Sequence, residues 1–158
     1  MNITLICVGK IKESFYRDAV AEYSKRLSAY CNFKIVEVGD ESDKGMSDAL
    51  IDQAKSLEAE RILKAVKPGM YVCTLEIKGK KTDSVGFSNL LSDLFVQGKS
   101  DIAFIIGGSN GLDRSVSDRS DMKLSFSDMT FPHQLMRVIL SEQIYRAFKI
   151  MRSEPYHK

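Results

Sequence analysis

Short β-favouring apolar runs alternate with longer helical patterns along the chain, and this alternation is what most constrains the fold. Runs typical of strands occupy residues 2–8, 33–38, 70–77, 101–106 and 123–126. Segments with helical periodicity lie between or after these runs, at residues 13–30, 47–66, 85–97 and 132–151. Because such alternation favours parallel strand pairing, the sequence predicts an α/β fold with a mostly parallel sheet flanked by helices.

Capping and turn residues mark the boundaries of these elements. Ser47 and Ser84 are placed to cap the second and third helices, and Gly98 to end the third. The stretch KGKK at residues 78–81 is predicted to be a turn, and residues 39–46 a loop. No repeat or linker interrupts the pattern, so residues 1–158 are expected to form a single domain.

Composition disfavours several classes of protein. Hydrophobic residues make up 44% of the 158 residues and charged residues 28%, which suits a folded core rather than a disordered chain. The apolar runs are too short to span a bilayer, and no basic segment precedes the first, so neither a membrane protein nor a signal peptide is expected. Cys7, Cys31 and Cys73 are widely spaced, which favours reduced core thiols in a cytoplasmic protein over disulfides or zinc.

A glycine loop follows the fourth predicted strand in the stretch IAFIIGGSNGLDRS, residues 102–115. It has neither the Gly-Lys-Ser/Thr ending of a P-loop nor the spacing and position of a dinucleotide-binding fingerprint, and no lysine to meet a phosphate. Gly107 and Gly108 still allow close approach of a ligand to backbone. The residues alone leave two alternatives, a ligand loop at a strand end and a plain turn.

A second candidate site is LSFSDMTFPHQ, residues 124–134, at the start of the last helix. Pro132 suits a first helical turn, whereas Phe131 before it is a poor cap. The free N–H groups at the start of this helix therefore need a hydrogen-bond acceptor, which could be a ligand, another backbone segment or Thr130 nearby. His133 is interpreted either as a functional group or as an ordinary polar residue at a helix start.

The last helix and the tail carry an excess of cations, although the formal net charge of the whole chain is only +2. A polar arc on the helix comprises Gln134, Arg137, Ser141, Tyr145, Arg146, Lys149 and Arg152. It is either a solvated face or a surface for phosphates, because only Glu142 offsets its charge. The opposite apolar arc is either core or a subunit interface. In the tail, Tyr156 can stack on a base and His157 can act as a base near neutral pH.

Taken together, several segments resemble one known family. They are VGK at residues 8–10, EY and KR at 22–23 and 25–26, LEIKGK at 75–80, IGGSNGL at 106–112, LSFSDMTFPHQLMRVILSEQIYRAFKI at 124–150 and PYHK at 155–158. The chain is similar over its whole length to the ribosomal RNA large-subunit methyltransferase H family of the SPOUT class.

The resemblance implies a methyltransferase that takes its methyl group from S-adenosylmethionine, needs no metal and methylates N3 of a pseudouridine in 23S ribosomal RNA, with assembled ribosomes as the substrate. It also implies a homodimer, a cytoplasmic location and a C-terminal trefoil knot, which is an exception to the rule that chains do not thread. The implied cofactor-binding positions are Leu75, Gly107, Gly108, Phe126, Ser127, Asp128, Met129, Thr130 and Phe131. The implied acceptor-side, catalytic positions are Arg146, Tyr156 and His157.

Two other functions compete with this interpretation. One is a non-catalytic ribosome- or RNA-binding factor that has kept the fold, against which the intact glycine loop and tail argue. The other is an enzyme acting on nucleotide phosphates, which the missing P-loop disfavours.

Overall fold

Strands and helices alternate through the computed structural model, which describes residues 1–41 and 47–157. The elements in chain order are β1 Asn2–Val8, α1 Ser14–Leu27, β2 Asn32–Val38, α2 Asp48–Ala65, β3 Tyr71–Lys81, α3 Ser84–Val96, β4 Asp101–Ile106, α4 Arg114–Arg119, β5 Met122–Ser125 and α5 His133–Met151. The predicted strands and long helices are all present. The short α4 was not predicted.

The five strands of the described chain form one sheet in the order β2-β1-β4-β3-β5, and every neighbouring pair is parallel. The prediction of a parallel α/β sheet is therefore confirmed. Because all strands point the same way, their carboxyl ends and the loops that follow them meet at one edge. Ligands of open α/β sheets bind at that edge.

The two faces of the sheet carry separate hydrophobic cores, because successive strand side chains point to opposite faces. Within β4, Ile102 and Phe104 pack against α1, α3 and α5, whereas Ala103 and Ile105 pack against α2 and α4. All four side chains are buried. Helices therefore leave the carboxyl edge of the sheet in two directions, to one face after β1 and β3 and to the other after β2 and β4.

The stretch KGKK is not the predicted turn, because β3 continues through it to Lys81. The pairing register of β3 with β5 shifts between Leu75 and Lys80, so that both residues pair with Leu124. Gly79 lies directly on the backbone of Leu124, where an added Cβ would be 2.6 Å from the carbonyl carbon. The glycine permits close approach of two strands rather than a reversal of the chain.

The capping predictions are partly wrong. Asp83, not Ser84, caps α3, and its carboxylate accepts a hydrogen bond from the Gly86 N–H. Ser47 stands at the N-cap position of α2 but makes no side-chain capping bond. Gly98 follows α3 with φ +78°, as predicted for a helix-ending glycine. The predicted loop 39–46 and the end of the predicted tail lie in part outside the described residues.

Arg137 is buried in the fold, with 0% of its surface exposed, so its predicted place on a solvated or phosphate-facing arc is wrong. Its Nη1 donates to Glu37 Oε1 at 2.8 Å, and its Nη2 donates to the carbonyls of Val8 and Gly9 at 2.7 and 2.9 Å. Ser141, also predicted on that arc, is buried and donates to the Arg137 carbonyl. Arg137 therefore ties α5 to the loop after β1.

Two more cations of the same helix are neutralised locally. Arg146 pairs with Glu142 at 2.5 Å, and Lys149 pairs with Glu154 at 2.5 Å. The excess of positive charge on α5 is thus smaller than the sequence indicated.

The three cysteines are buried and unbonded, which agrees with the prediction of reduced core thiols. Burial raises the pKa of Cys7 and of Cys73 to about 12 and that of Cys31 to about 11. No helix in residues 1–41 and 47–157 is long and apolar enough to cross a membrane. The single-domain assignment, the homodimer and the knot stay predictions.

Candidate functional site

The glycine loop after β4 closes tightly on itself. The N–H of Gly111 donates to the carbonyl of Gly108 at 3.1 Å, and the two residues form an isolated bridge. Gly111 has φ +79°, a conformation that other residues rarely adopt. A Cβ on Gly107 would lie 2.9 Å from the carbonyl carbon and oxygen of Gly111. The turn therefore depends on glycine at position 107 for space and at position 111 for conformation.

A cavity of about 550 Å³, called here the first cavity, opens between this turn, β3 and the segment that follows β5. Its lining includes eight of the nine predicted cofactor-binding residues: Leu75, Gly107, Gly108, Phe126, Ser127, Met129, Thr130 and Phe131. Asp128 is not among the lining residues. Its side chain is 78% exposed and pairs with Lys81. The structure thus brings together three segments that are far apart in the sequence.

Leu75 marks the point where β3 leaves β4, because the pairing of these strands ends at Thr74. The carboxyl end of β4 is therefore uncovered on this side, and the first cavity occupies the gap beside it. Leu75 lies inside β3, whose remaining residues continue along β5.

The start of α5 forms one wall of the first cavity and lacks a side-chain cap, as predicted. Pro132 is the N-cap residue, and its carbonyl accepts the first helical bond from Met136 at 3.0 Å. In the preceding segment, Ser127 Oγ accepts from the Met129 N–H at 3.0 Å, which holds the loop in a turn. The helix therefore presents its first turn to the cavity without a competing side chain.

The chemistry of the first cavity is mainly apolar, and none of its described lining residues is lysine or arginine. Its one carboxylate is Glu76, which accepts from Thr74 Oγ1 at 2.7 Å and from Ser117 Oγ at 2.8 Å. Sequence reasoning missed Glu76, because an acidic residue within a strand pattern carries no local signal. Such a lining suits an aromatic ring, hydroxyls and positive charge far better than phosphate.

The predicted acceptor-side residues lie together in a tail cluster, defined here as Glu142, Arg146, Tyr156 and His157. Glu142 Oε1 accepts from Arg146 Nε and from the Tyr156 hydroxyl, each at 3.0 Å. The Arg146 guanidinium lies 4.7 Å from the centre of the Tyr156 ring, and its Nη1 is 3.4 Å from His157 Nδ1. No member of the cluster lines the first cavity.

Burial raises the pKa of the Tyr156 hydroxyl well above its ordinary value, and hydrogen bonds with Tyr23 and Glu142 add to the shift. Tyr156 therefore stays protonated near neutral pH and can donate a hydrogen bond but not serve as a base. His157 is the exposed histidine of the cluster and contacts it through Arg146.

A second cavity of about 490 Å³ lies on the other side of the glycine turn. It shares Gly108, Ser109 and His133 with the first cavity. Its other lining residues are Val8, Lys10, Lys12, Asp40, Glu41, Glu58, Asn110 and Gln134. Burial lowers the pKa of His133, with a further contribution from the nearby Arg137, so the junction of the two cavities holds a neutral imidazole. Sequence reasoning did not find this second cavity.

Comparison with known proteins decides the family. A family model described as "Predicted SPOUT methyltransferase" matches residues 1–157. The chain belongs to the SPOUT methyltransferase family. A protein of Methanococcus maripaludis named ribosomal RNA large subunit methyltransferase H is 57% identical over 159 residues, and the match covers 100% of both chains. The family identified from the sequence is thereby confirmed, as is the prediction of a methyltransferase, and S-adenosylmethionine is the family's methyl donor.

Solved structures confirm the fold. The tRNA (m1G37) methyltransferase of Aquifex aeolicus is 18% identical with a TM-score of 0.52, over 100% of this chain and 75% of that one. A Legionella pneumophila methyltransferase solved with its cofactor S-adenosylmethionine is 14% identical with a TM-score of 0.50, over 94% of this chain and 66% of that one. Within the described residues, no group of three or more His, Cys, Asp or Glu could hold a metal ion.

Proposed function

We propose that this chain methylates N3 of a pseudouridine in 23S ribosomal RNA, with S-adenosylmethionine bound in the first cavity and an assembled ribosomal particle as substrate. The observation that carries the proposal is the convergence of eight predicted cofactor residues on that one cavity. The full-length relative named as a ribosomal RNA methyltransferase supports the choice of acceptor. Action on ribosomes would place the protein in the cytoplasm.

The residues of the first cavity fit the methyl donor. The glycine turn lines the cavity and can offer backbone N–H and C=O groups to a ligand, and its shape depends on glycine at position 107. Leu75, Leu124 and Phe126 supply apolar surface for a flat ring. Glu76 offers a carboxylate to hydroxyl or ammonium groups. When bound, S-adenosylmethionine supplies a methyl group on a positively charged sulfur.

The chain's own contribution to transfer is alignment and removal of a proton. Positive charge on the sulfur is relieved as the methyl moves to N3, so holding the two reactants in line accounts for much of the rate. N3 carries a hydrogen that must leave. We assign its removal to His157, with Tyr156 and Arg146 holding the base, because Glu142 joins Tyr156 to Arg146 and Arg146 contacts His157.

A homodimer completes this arrangement. The tail cluster of a chain does not line that chain's own first cavity, which supports a dimer in which one copy brings its tail cluster to the first cavity of the other. The exposed Phe15, 60% accessible beside Tyr16 at the start of α1, is apolar surface of the kind that subunit contact covers. Light scattering of the purified protein tests the dimer directly.

The decisive experiment has two parts. Ribosomal RNA from cells lacking this protein is mapped by mass spectrometry, and one methylated pseudouridine of 23S RNA is expected to lose its methyl group. Purified protein with radiolabelled S-adenosylmethionine should then restore it on ribosomal particles more efficiently than on isolated 23S RNA. Equal methylation of naked RNA would contradict the particle as substrate. Failure to bind millimolar S-adenosylmethionine in calorimetry would instead indicate a non-catalytic ribosome-associated factor.

A further inference from the structure

The second cavity lies at a position in the sheet where ligands are expected on topological grounds. It opens beyond the carboxyl ends of the neighbouring strands β1 and β4, between Val8 and Gly108. After β1 the chain passes to the face that carries α1, and after β4 to the face that carries α4. Adjacent strands whose connections leave in opposite directions open a crevice, and open α/β sheets bind ligands in such crevices.

The two cavities are separated by the glycine turn and by His133, and Gly108, Ser109 and His133 line both. Ligands in the two cavities would therefore be neighbours. Methyl transfer requires this arrangement, because donor and acceptor atoms must approach to about 3–3.5 Å before reaction. The second cavity, at about 490 Å³, has room for a pyrimidine ring. Lys10 and Lys12 are exposed beside it and can meet the phosphates of the same nucleotide strand.

Glu58 is the nearly buried carboxylate of the second cavity, with 8% of its surface exposed. Its Oε1 accepts a hydrogen bond from the Glu41 N–H at 3.0 Å, which fixes the carboxylate's position. Its Oε2 lies 3.2 Å from the place that a Cβ on Gly108 would occupy, so it contacts the turn between the cavities. An ionised carboxylate only accepts hydrogen bonds, and a ligand beside it therefore needs an N–H or O–H group.

We propose that the second cavity receives the acceptor pseudouridine and that Glu58 accepts a hydrogen bond from N1–H of its ring. The inference rests on the proposed function. Pseudouridine is joined to ribose through carbon, so its N1 carries a hydrogen that uridine lacks. A carboxylate at this position selects pseudouridine over uridine. Glu58 is thus a specificity residue that touches the substrate, and removal of the N3 proton remains with His157 of the second copy in the proposed dimer.

The test is Glu58→Gln, with Glu60→Gln as matched control on the exposed side of the same helix. In this variant the glutamine oxygen can still accept the hydrogen bond from the Glu41 N–H. The NH₂ group of the glutamine then faces N1–H of the pseudouridine, and two hydrogen-bond donors oppose each other. Methyl transfer is measured on large ribosomal subunits that carry either pseudouridine or uridine at the target position. S-adenosylmethionine affinity and the melting temperature are measured in parallel.

For Glu58→Gln, kcat/KM on pseudouridine subunits should fall by about tenfold to a hundredfold, the range for one hydrogen bond to a charged group. The rate on uridine subunits and the affinity for S-adenosylmethionine should stay within about twofold of wild type, and Glu60→Gln should behave as wild type. Unchanged selectivity in Glu58→Gln, or an equal loss on both substrates, overturns the inference.

Two controls separate the possible failures. If wild-type protein methylates neither kind of subunit, the proposed function itself is wrong. If Glu58→Gln does not fold, Glu58→Asp keeps the charge but withdraws it from the turn. This second variant should show the same selective loss on pseudouridine subunits, and retention of full selectivity in it would equally overturn the inference.

Discussion

The substitution Gly107→Ala tests most directly whether the glycine turn shapes the site for the methyl donor. An added Cβ at position 107 would lie 2.9 Å from the carbonyl carbon and oxygen of Gly111 and 3.0 Å from a methyl of Leu112. Backbone atoms cannot rotate away as a side chain can. The turn must move as a whole, and it carries one rim of the first cavity with it.

The size of the effect follows from these distances. Ordinary van der Waals contact begins near 3.4 Å, so the contact at 2.9 Å requires a shift of about 0.5 Å. Overpacking of this kind costs about 1–3 kcal/mol of folding free energy, which lowers Tm by about 2–12 °C in a chain of this size. Because the displaced turn supplies backbone groups to the cavity, affinity for S-adenosylmethionine should fall at least about tenfold, or about 1.4 kcal/mol.

The assay pairs calorimetric titration of S-adenosylmethionine with thermal unfolding, and Gly69→Ala serves as the control. Gly69 has φ +82° and no atom within 4 Å of an added Cβ, and it precedes β3 at the opposite edge of the sheet. Alanine there costs about 1–2 kcal/mol through backbone strain alone. Both variants should therefore lose stability, but only Gly107→Ala should lose cofactor affinity. Wild-type affinity in Gly107→Ala would refute the reasoning.

Three further outcomes are expected. Arg137→Ala leaves the Glu37 carboxylate and two carbonyls without their buried donor. The loss should lower the free energy of unfolding by about 3 kcal/mol and Tm by about 6–12 °C. Substitution of the exposed Arg152 by alanine should change Tm little, and a similar drop in both variants would contradict this. The pKa of His133 is lowered in the folded chain, so the unfolded chain binds a proton at this imidazole more tightly. The free energy of unfolding should therefore decline as pH falls below about 6.5. Urea titrations at several pH values should show a smaller decline for His133→Gln. Deletion of residues 156–158 should abolish methyl transfer while calorimetry shows unchanged S-adenosylmethionine binding, and an active truncation would remove the tail from the mechanism.

The site could be predicted from the sequence where its parts are local. Gly107 and Gly108 follow an apolar run typical of a buried strand, which made a ligand loop one of two alternatives, and Pro132 opens a helix with no cap before it. Both signals are read within a few residues, and both segments line the first cavity. The proposed roles of Tyr156 and His157 came from family resemblance, and the structure adds that Glu142 binds both Tyr156 and Arg146 while His157 contacts Arg146.

Other features of the fold and of the candidate site had no local signal. Glu58 falls within an amphipathic helical pattern, where an acidic residue is normally solvated, yet it is buried against the glycine turn. Arg137 likewise stands among polar residues of α5, but its partner Glu37 lies 100 residues away on β2. The stretch KGKK has the composition of a turn, and it forms a strand because it pairs with β5.

By itself the sequence determined the five strands, the long helices and the parallel α/β class, because strand and helix periods are properties of neighbouring residues, and its motifs determined the family. Only the tertiary structure decided that eight of the nine predicted cofactor residues share one cavity and that a second cavity adjoins it. The order β2-β1-β4-β3-β5 is set by which crossovers pack on which face, and that packing depends on contacts far apart in the chain. It places the ends of β1 and β4 side by side, and with them the two cavities on either side of one glycine turn.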